Sequence, residues 1–208
     1  MKIGIIGAGM VGRAIGKLAV ASGHSVMLSN SRGPQTLFSL SRSIGCEVGT
    51  VEEAAAFGEV VVIAIPLAAY RSVPVEPLEG KLVIDTNNYY FERDGHIPEL
   101  DAGELTTSEM LARHLPRSRI VKAFNAIIMD DLEKGGRPAG SSERRGLPLA
   151  GDNSTDKAVV SGLYDQFGFE AVDVGPLAEG WRFERGRPVY SVPMDASRLK
   201  DELAKTNR

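Results

Sequence analysis

The chain has 208 residues, 43% of them apolar, and a formal net charge of -3. That length suits one domain with a real core, and the mild charge gives no sign of nucleic-acid or membrane binding. The longest apolar run, Val60 to Ile65, is too short to span a bilayer. The start shows no signal-peptide pattern and the single Cys46 has no internal partner, so a reducing, cytoplasmic setting is expected.

In chain order, the opening run Ile3 to Ile6 reads as a strand. It leads into Gly7-Ala8-Gly9-Met10-Val11-Gly12 and then a helix with an apolar stripe of Val11, Ala14, Ile15 and Leu18, stopped by Gly23. Further strands are expected at Ser25 to Ser29, Glu47 to Gly49, Val60 to Ile65, Leu82 to Asp85, Ile120 to Phe124, Leu147 to Ala150 and Ala171 to Val174. Several are continuous apolar runs, as in strands buried on both faces of a parallel sheet. Thr50 with Glu53 and Thr106 with Glu109 form capping-box patterns, and Leu105 and Met110 are spaced to staple the second. Val159, Leu163 and Phe167 make a last stripe, closed by Gly168.

Strand–helix alternation predicts a single-domain α/β, Rossmann-type doubly wound, mostly parallel sheet. Residues 1–180 read as the nucleotide-binding domain, and 181–208 as a short, polar carboxy-terminal extension. Asn87 to Gly103 and Asp131 to Gly146 read as long loops, the length at which loops are usually functional or mobile.

The glycine pattern fits G-x-G-x-x-G, which is weak alone. Here it follows a strand and opens an amphipathic helix, the context in which it binds a dinucleotide. Gly7 permits the tight turn, Gly9 lets backbone N–H groups approach the pyrophosphate, and Gly12 seats the helix close on the strand. The helix start adds donors and a positive dipole end.

The second strand runs out through Ser29-Asn30-Ser31-Arg32, twenty positions past Gly12. NAD-binding folds place an acid there to hold the ribose hydroxyls. This chain has no Asp or Glu among residues 1–46, where it has five basic residues, leaving 19 basic and 27 acidic residues for the rest. Arg32 instead offers a guanidinium fork, and Ser31 a hydroxyl, to a 2′-phosphate. The expected cofactor is therefore NADP(H).

The nicotinamide half must then cross the later strand ends. Ile65-Pro66 would give an apolar wall. Asn87 or Asn125 is placed either to hydrogen-bond the carboxamide or to cap its own loop, and Phe124 reads as core. His24, His96 and His114 lack ligand spacing, so no metal site is expected. Glu52-Glu53 and Asp130-Asp131 read as solvated helix starts. No catalytic acid–base pair stands out. Only 34 residues follow Val174, too few for the helical domain that carries a catalytic Lys in phosphogluconate-type dehydrogenases. Hydride transfer between two stacked rings, governed by proximity and orientation, suits such a site.

On these residues, together with Val121-Lys122-Ala123-Phe124-Asn125, Leu149-Ala150-Gly151-Asp152 and Asp173-Val174-Gly175-Pro176-Leu177, the chain resembles the coenzyme F420-dependent NADP oxidoreductases and their small bacterial relatives. The resemblance implies that Ala8 to Val11 contact the pyrophosphate and Ser31-Arg32 the 2′-phosphate. It implies that Ile65-Pro66 and the segment Asn125, Ala126 and Ile127 flank nicotinamide. It also implies a deazaflavin (coenzyme F420) or flavin-like co-substrate and a homodimer closing the site. The chain departs from the archaeal deazaflavin-using members, which carry a His shortly after the Ile-Pro pair where this sequence has Ala68-Ala69-Tyr70. The tail from Trp181 to Arg208 also differs. Arg137, Arg144 and Arg145 read either as attractors of an anionic deazaflavin tail or as a solvated loop. Two other functions fit the residues: a non-catalytic NADPH-binding, redox-sensing module, and a small-substrate imine or carbonyl reductase.

Overall fold

The computed structural model describes residues 1–208. Eight strands, β1 (Lys2–Ile6), β2 (Ser25–Ser29), β3 (Glu47–Gly49), β4 (Val60–Ile63), β5 (Leu82–Asp85), β6 (Arg119–Lys122), β7 (Gly146–Gly151) and β8 (Glu170–Asp173), lie in the order β3-β2-β1-β4-β5-β6-β7-β8. Every neighbouring pair is parallel except β6 with β7. The order reverses direction between β1 and β4, which opens a crevice at the carboxyl ends of those strands. The helices are α1 (Met10–Ala21), α2 (Phe38–Ile44), α3 (Val51–Phe57), α4 (Phe91–Asp94), α5 (Pro98–Asp101), α6 (Thr107–His114), α7 (Met129–Lys134), α8 (Ser154–Gln166) and α9 (Ala196–Lys205). None is long and apolar enough to cross a membrane.

Continuous apolar strands imply burial on both faces, and the packing bears this out. Ile3, Ile5, Val60, Val62, Leu82 and Ile84 enter one core, while Ile6, Val61, Ile63 and Val83 enter another across the sheet. The buried face of α1 is broader than the expected stripe and turned toward its small residues: Gly12, Ala14, Ile15, Gly16 and Ala19 are buried, with Val11 and Leu18 half-buried but still packed on the core. Both capping boxes form, each with the Thr side chain and the Glu side chain satisfying one another's backbone N–H; such caps contribute about 1 kcal/mol each.

Three predicted strands stop early, β8 by one residue at Asp173 and two others by two. β4 ends at Ile63 because the Ile65 N–H turns to the Asn87 side chain and Pro66 has no N–H to give the ladder. β6 ends at Lys122, since Phe124 adopts φ 60°. The expected loop from Asn87 to Gly103 contains α4 and α5, single turns held by Asp94, which accepts from the Tyr90 and Ala68 N–H groups, and by Pro98 at the first position of α5. Likewise Asp131 to Lys134 belong to α7.

Residues 181–208 are polar in composition, yet they pack on the sheet. Asp195 caps α9 by accepting from the Arg198 N–H. Ala196, Leu199 and Leu203 form one helical face buried with Phe183, Val189 and Met194 against Ala150 of β7 and Val172 of β8.

Candidate functional site

The crevice at the carboxyl ends of β1, β2 and β4 is a cleft of about 370 Å³. It brings together Gly7, Ala8, Gly9, Asn30, Ser31, Arg32, Ile65 and Pro66 of the expected site, and adds Arg13, Val51 and Ser72. Its floor depends on close backbone approach. Gly7 has φ 115°, and a Cβ there would sit 2.2 Å from the Ala64 carbonyl oxygen. A Cβ on Gly12 would sit 2.0 Å from the Gly7 carbonyl oxygen. At Gly9, the N-cap of α1, a Cβ would meet nothing within 4 Å. No side chain caps this helix and no acid lies in its first turn, so its N–H donors and dipole end face a cradle suited to an anion.

The rim that follows β2 is ordered by its own polar groups. Asn30 accepts from the Arg32 N–H at 2.9 Å and donates to Thr36 Oγ1 at 2.9 Å. Thr36 Oγ1 donates to the Gly33 carbonyl, and Gln35 Nε2 to the Arg32 carbonyl. The backbone of Arg32 is thus fixed while its exposed guanidinium stays uncommitted. Asn30 works as an organiser of this turn. Arg13, which the sequence reading passed over, anchors its Nε on the Ala8 carbonyl at 2.7 Å and lines the same cleft. A signal for it existed: helical side chains lean toward the amino terminus, so a basic residue in the first turn of α1 reaches back toward the glycine turn. Two guanidiniums and a helix start, with no carboxylate among the lining residues, fit a phosphorylated dinucleotide.

The other expected residues lie outside this lining. Met10 projects from the start of α1, 62% exposed, and Val11 is half-buried. Asn87 is 2% exposed; its Oδ1 accepts from the Ile65 N–H at 3.2 Å, and its Nδ2 has no partner. Asn125, Ala126 and Ile127 are all buried. The Asn125 amide donates to Asn88 Oδ1 and the Phe183 carbonyl, which leaves its Oδ1 unpartnered. Phe124 is core, as expected: its ring packs edge-on against Tyr164, and its N–H donates to the Tyr164 hydroxyl at 2.8 Å.

Three arginines do not join the site. Arg137 and Arg144 line a separate cavity beside Leu18 and Phe167 that shares no residue with the cleft. Arg144 pairs with Asp165 at 2.8 Å. Arg145 is buried, pairing with Asp131 at 2.9 Å and donating to the Ala126 carbonyl; burial lowers its guanidinium from the ordinary value, and Asp131 opposes that. The basic loop is therefore tied to the body of the protein rather than reaching over the cleft.

Sequence reading also missed a buried charged cluster at the carboxyl edge of β5 and β6. Lys122 and Asp85 have fully buried side chains. Lys122 Nζ donates to Thr107 Oγ1 at 2.6 Å and to the Asn87 carbonyl at 3.1 Å. It lies 3.7 Å from Asp85 Oδ2 and 3.4 Å from Glu184 Oε1. Asp85 accepts from Ser108 Oγ and the Asn87 N–H, and Glu184 accepts from both the N–H and the hydroxyl of Thr107. A charge within an apolar strand run demands a buried partner, so Lys122 inside Ile120 to Phe124 was the available signal. Next to this cluster, Tyr90 and Tyr190 share a hydrogen bond of 2.6 Å. Burial, then that bond, raises the Tyr190 phenol above its ordinary value. Burial works against the Asp94 charge, but Arg93 and the Tyr90 and Ala68 N–H groups outweigh it and hold the carboxyl below the usual range.

The model of the family described as coenzyme F420-dependent NADP oxidoreductase matches residues 2–89. Among solved structures, the chain is similar to a hypothetical protein from Sinorhizobium meliloti, with 28% identity over 93% of this chain and 94% of that one and a TM-score of 0.81. It is similar to a protein from Arthrobacter sp. FB24 provisionally described as an F420-dependent NADP-reductase, with 27% identity, 85% of each chain covered and a TM-score of 0.71. It shares its fold with a reductive aminase from Aspergillus terreus, solved with NADPH and ethyl-5-oxohexanoate, at 18% identity and a TM-score of 0.62; the match covers 85% of this chain and 56% of that one. No curated protein matches the chain. The chain thus resembles the coenzyme F420-dependent NADP oxidoreductases, and over residues 2–89, from the opening strand through the segment that follows β5, it matches the model of that family.

Proposed function

We propose that this protein is an NADP-dependent oxidoreductase that passes hydride between NADP(H) and a deazaflavin or flavin-like acceptor. One observation carries the reading: a glycine cradle at an uncapped helix start and an uncommitted guanidinium, Arg32, share one acid-free cleft. The backbone N–H groups of Ala8 to Val11 hold the pyrophosphate. Arg32 and Ser31, with Arg13 beside them, hold the 2′-phosphate. Ile65-Pro66 shields one face of the nicotinamide from water, and the spare Asn87 Nδ2 donor serves its carboxamide. When bound, the dihydronicotinamide supplies the hydride. The chain's own residues supply position and exclude water, the contributions on which transfer between stacked rings depends.

Titration calorimetry tests the cofactor half: NADPH is expected to bind well ahead of NADH, and equal affinities overturn the assignment. Steady-state NADPH oxidation with a deazaflavin, FMN and simple imines in parallel tests the acceptor. Turnover with the imines alone replaces the deazaflavin reading with a small-substrate reductase. A homodimer belongs to the same proposal. Met10 and Ile128, 62% and 55% exposed, sit at the starts of the packed helices α1 and α7, where a second copy would cover them. Ultracentrifugation giving only monomer removes that part.

A further inference from the structure

The charged cluster behind the cleft is not neutral. It holds one ammonium, Lys122, and two carboxylates, Asp85 and Glu184, so its formal charge is one negative unit. It is linked to the cleft through a single residue. The Asn87 carbonyl accepts from Lys122, the Asn87 N–H donates to Asp85, and Asn87 Oδ1 accepts from the N–H of Ile65, which lines the cleft. The apolar surroundings of β5 and β6 screen such a charge far less than water does.

Resting on the placement of the nicotinamide against Ile65-Pro66 and Asn87, we propose that the excess negative charge, supplied by Glu184 of the carboxy-terminal segment, biases the site toward the oxidised cofactor. When hydride leaves the dihydronicotinamide with both bonding electrons, the neutral ring becomes a pyridinium and gains one positive charge. A fixed negative charge behind the ring wall stabilises that product relative to the reduced form. It therefore favours hydride donation from NADPH. Without Glu184, Lys122 and Asp85 would balance and the bias would vanish. The segment from residue 181 onward, which packs on β7 and β8, is thereby an electrostatic part of the site, although it supplies none of the cleft lining.

The test is the ratio of dissociation constants for NADP⁺ and NADPH, measured by calorimetry on the full chain. E184Q keeps the shape and removes the charge, and D85N removes the other carboxylate. Each is expected to raise the NADP⁺-to-NADPH ratio about threefold or more, the effect of one unit charge roughly 10 Å away at an effective dielectric between protein and water. E184D keeps the charge while shortening the reach to Thr107, and T107V disturbs the same packing with no change of charge. Both are expected to keep the wild-type ratio, whereas a merely structural role predicts that they behave like E184Q. Melting curves show which variants are folded, and either charge-removing variant suffices. If wild type binds both forms and the folded charge-removing variant has the wild-type ratio, this inference falls and the cofactor reading stands. If wild type binds neither form, the cofactor reading falls and takes the inference with it.

Discussion

Replacing Arg32 with alanine isolates the phosphate contact, because the structure separates this side chain from everything around it. The turn that carries it is held by Asn30, Gln35 and Thr36 through backbone atoms of Arg32 and Gly33. The guanidinium is exposed and has no partner to lose, so folding stability is expected to change by less than about 0.5 kcal/mol. Binding is another matter. A charge-assisted contact to phosphate contributes about 1.5–3 kcal/mol, which corresponds to roughly 10- to 150-fold in Kd. Partial exposure places the effect toward the lower end and makes it shrink as salt rises. R32A should therefore weaken NADPH by at least about tenfold, leave NADH nearly unchanged and leave Tm where it was. Calorimetry with both nucleotides at two salt concentrations, beside a melting curve, makes the measurement. An equal loss for both nucleotides would place Arg32 on a shared part of the dinucleotide, and no loss for either would remove the phosphate site altogether.

Three further outcomes follow from the geometry. G12A puts a methyl group 2.0 Å from the Gly7 carbonyl oxygen, so α1 must lift off β1; a loss of about 1–3 kcal/mol, several degrees of Tm, should accompany loss of NADPH and NADH binding together, and an unchanged Tm would show that the turn has slack. N87A strands the Ile65 N–H and removes the spare Nδ2 donor; at about 1 kcal/mol per hydrogen bond it should weaken both nucleotides by about fivefold or more, and selective loss of NADPH would contradict its assignment to the nicotinamide half. Asp94 has a depressed pKa when folded, so its stabilisation is present above the unfolded-chain value of about 4 and is lost as pH falls below that through the folded value. The Tm gap between wild type and D94N should accordingly be wide at pH 7 and narrow progressively as pH falls below about 4, and a gap independent of pH would show that the carboxylate charge is not what Asp94 contributes.

The parts of the site that the sequence disclosed are those whose chemistry is local. A strand, three glycines and an amphipathic helix lie within twenty residues, so their spacing alone dictates the turn. Arg32 was legible because it lies just past the end of a strand in a stretch with no competing acid. Pro66 was legible because proline must leave a parallel ladder. The long loops were misjudged where polar composition hid single turns whose hydrogen bonds come from afar, as Asp94 takes the Ala68 N–H across 26 positions. The packing of the tail was not legible for a related reason: spacing of three and four along Ala196, Leu199 and Leu203 makes a buried face that average polarity conceals.

The charged cluster marks the boundary of sequence reading more sharply. Lys122 and Asp85 each stand in an apolar strand, which requires that both be paired, and their being on adjacent strands in register makes them each other's neighbours. That much follows from strand assignment and the parallel order. Glu184 does not: it is 62 positions beyond Lys122, and it arrives at the end of a turn that buries Leu177, Gly180, Trp181 and Phe183, the last in one cluster with Ala126, Ala150 and Val172. Its carboxylate is then fixed by two bonds from Thr107, the first residue of α6, whose capping box sets that backbone. A buried turn that ends at Phe183 thus delivers a charge to the strand edge where the reacting ring is proposed to lie. Shortening Phe183 to alanine, unlike T107V, which leaves the Thr107 N–H to hold the carboxylate, should let Glu184 swing away from the strand edge into water, so that F183A moves the NADP⁺-to-NADPH ratio in the same direction as E184Q while the Arg32-dependent preference for NADPH over NADH persists. An F183A ratio equal to wild type in a folded protein would show that Thr107 alone holds the carboxylate in place.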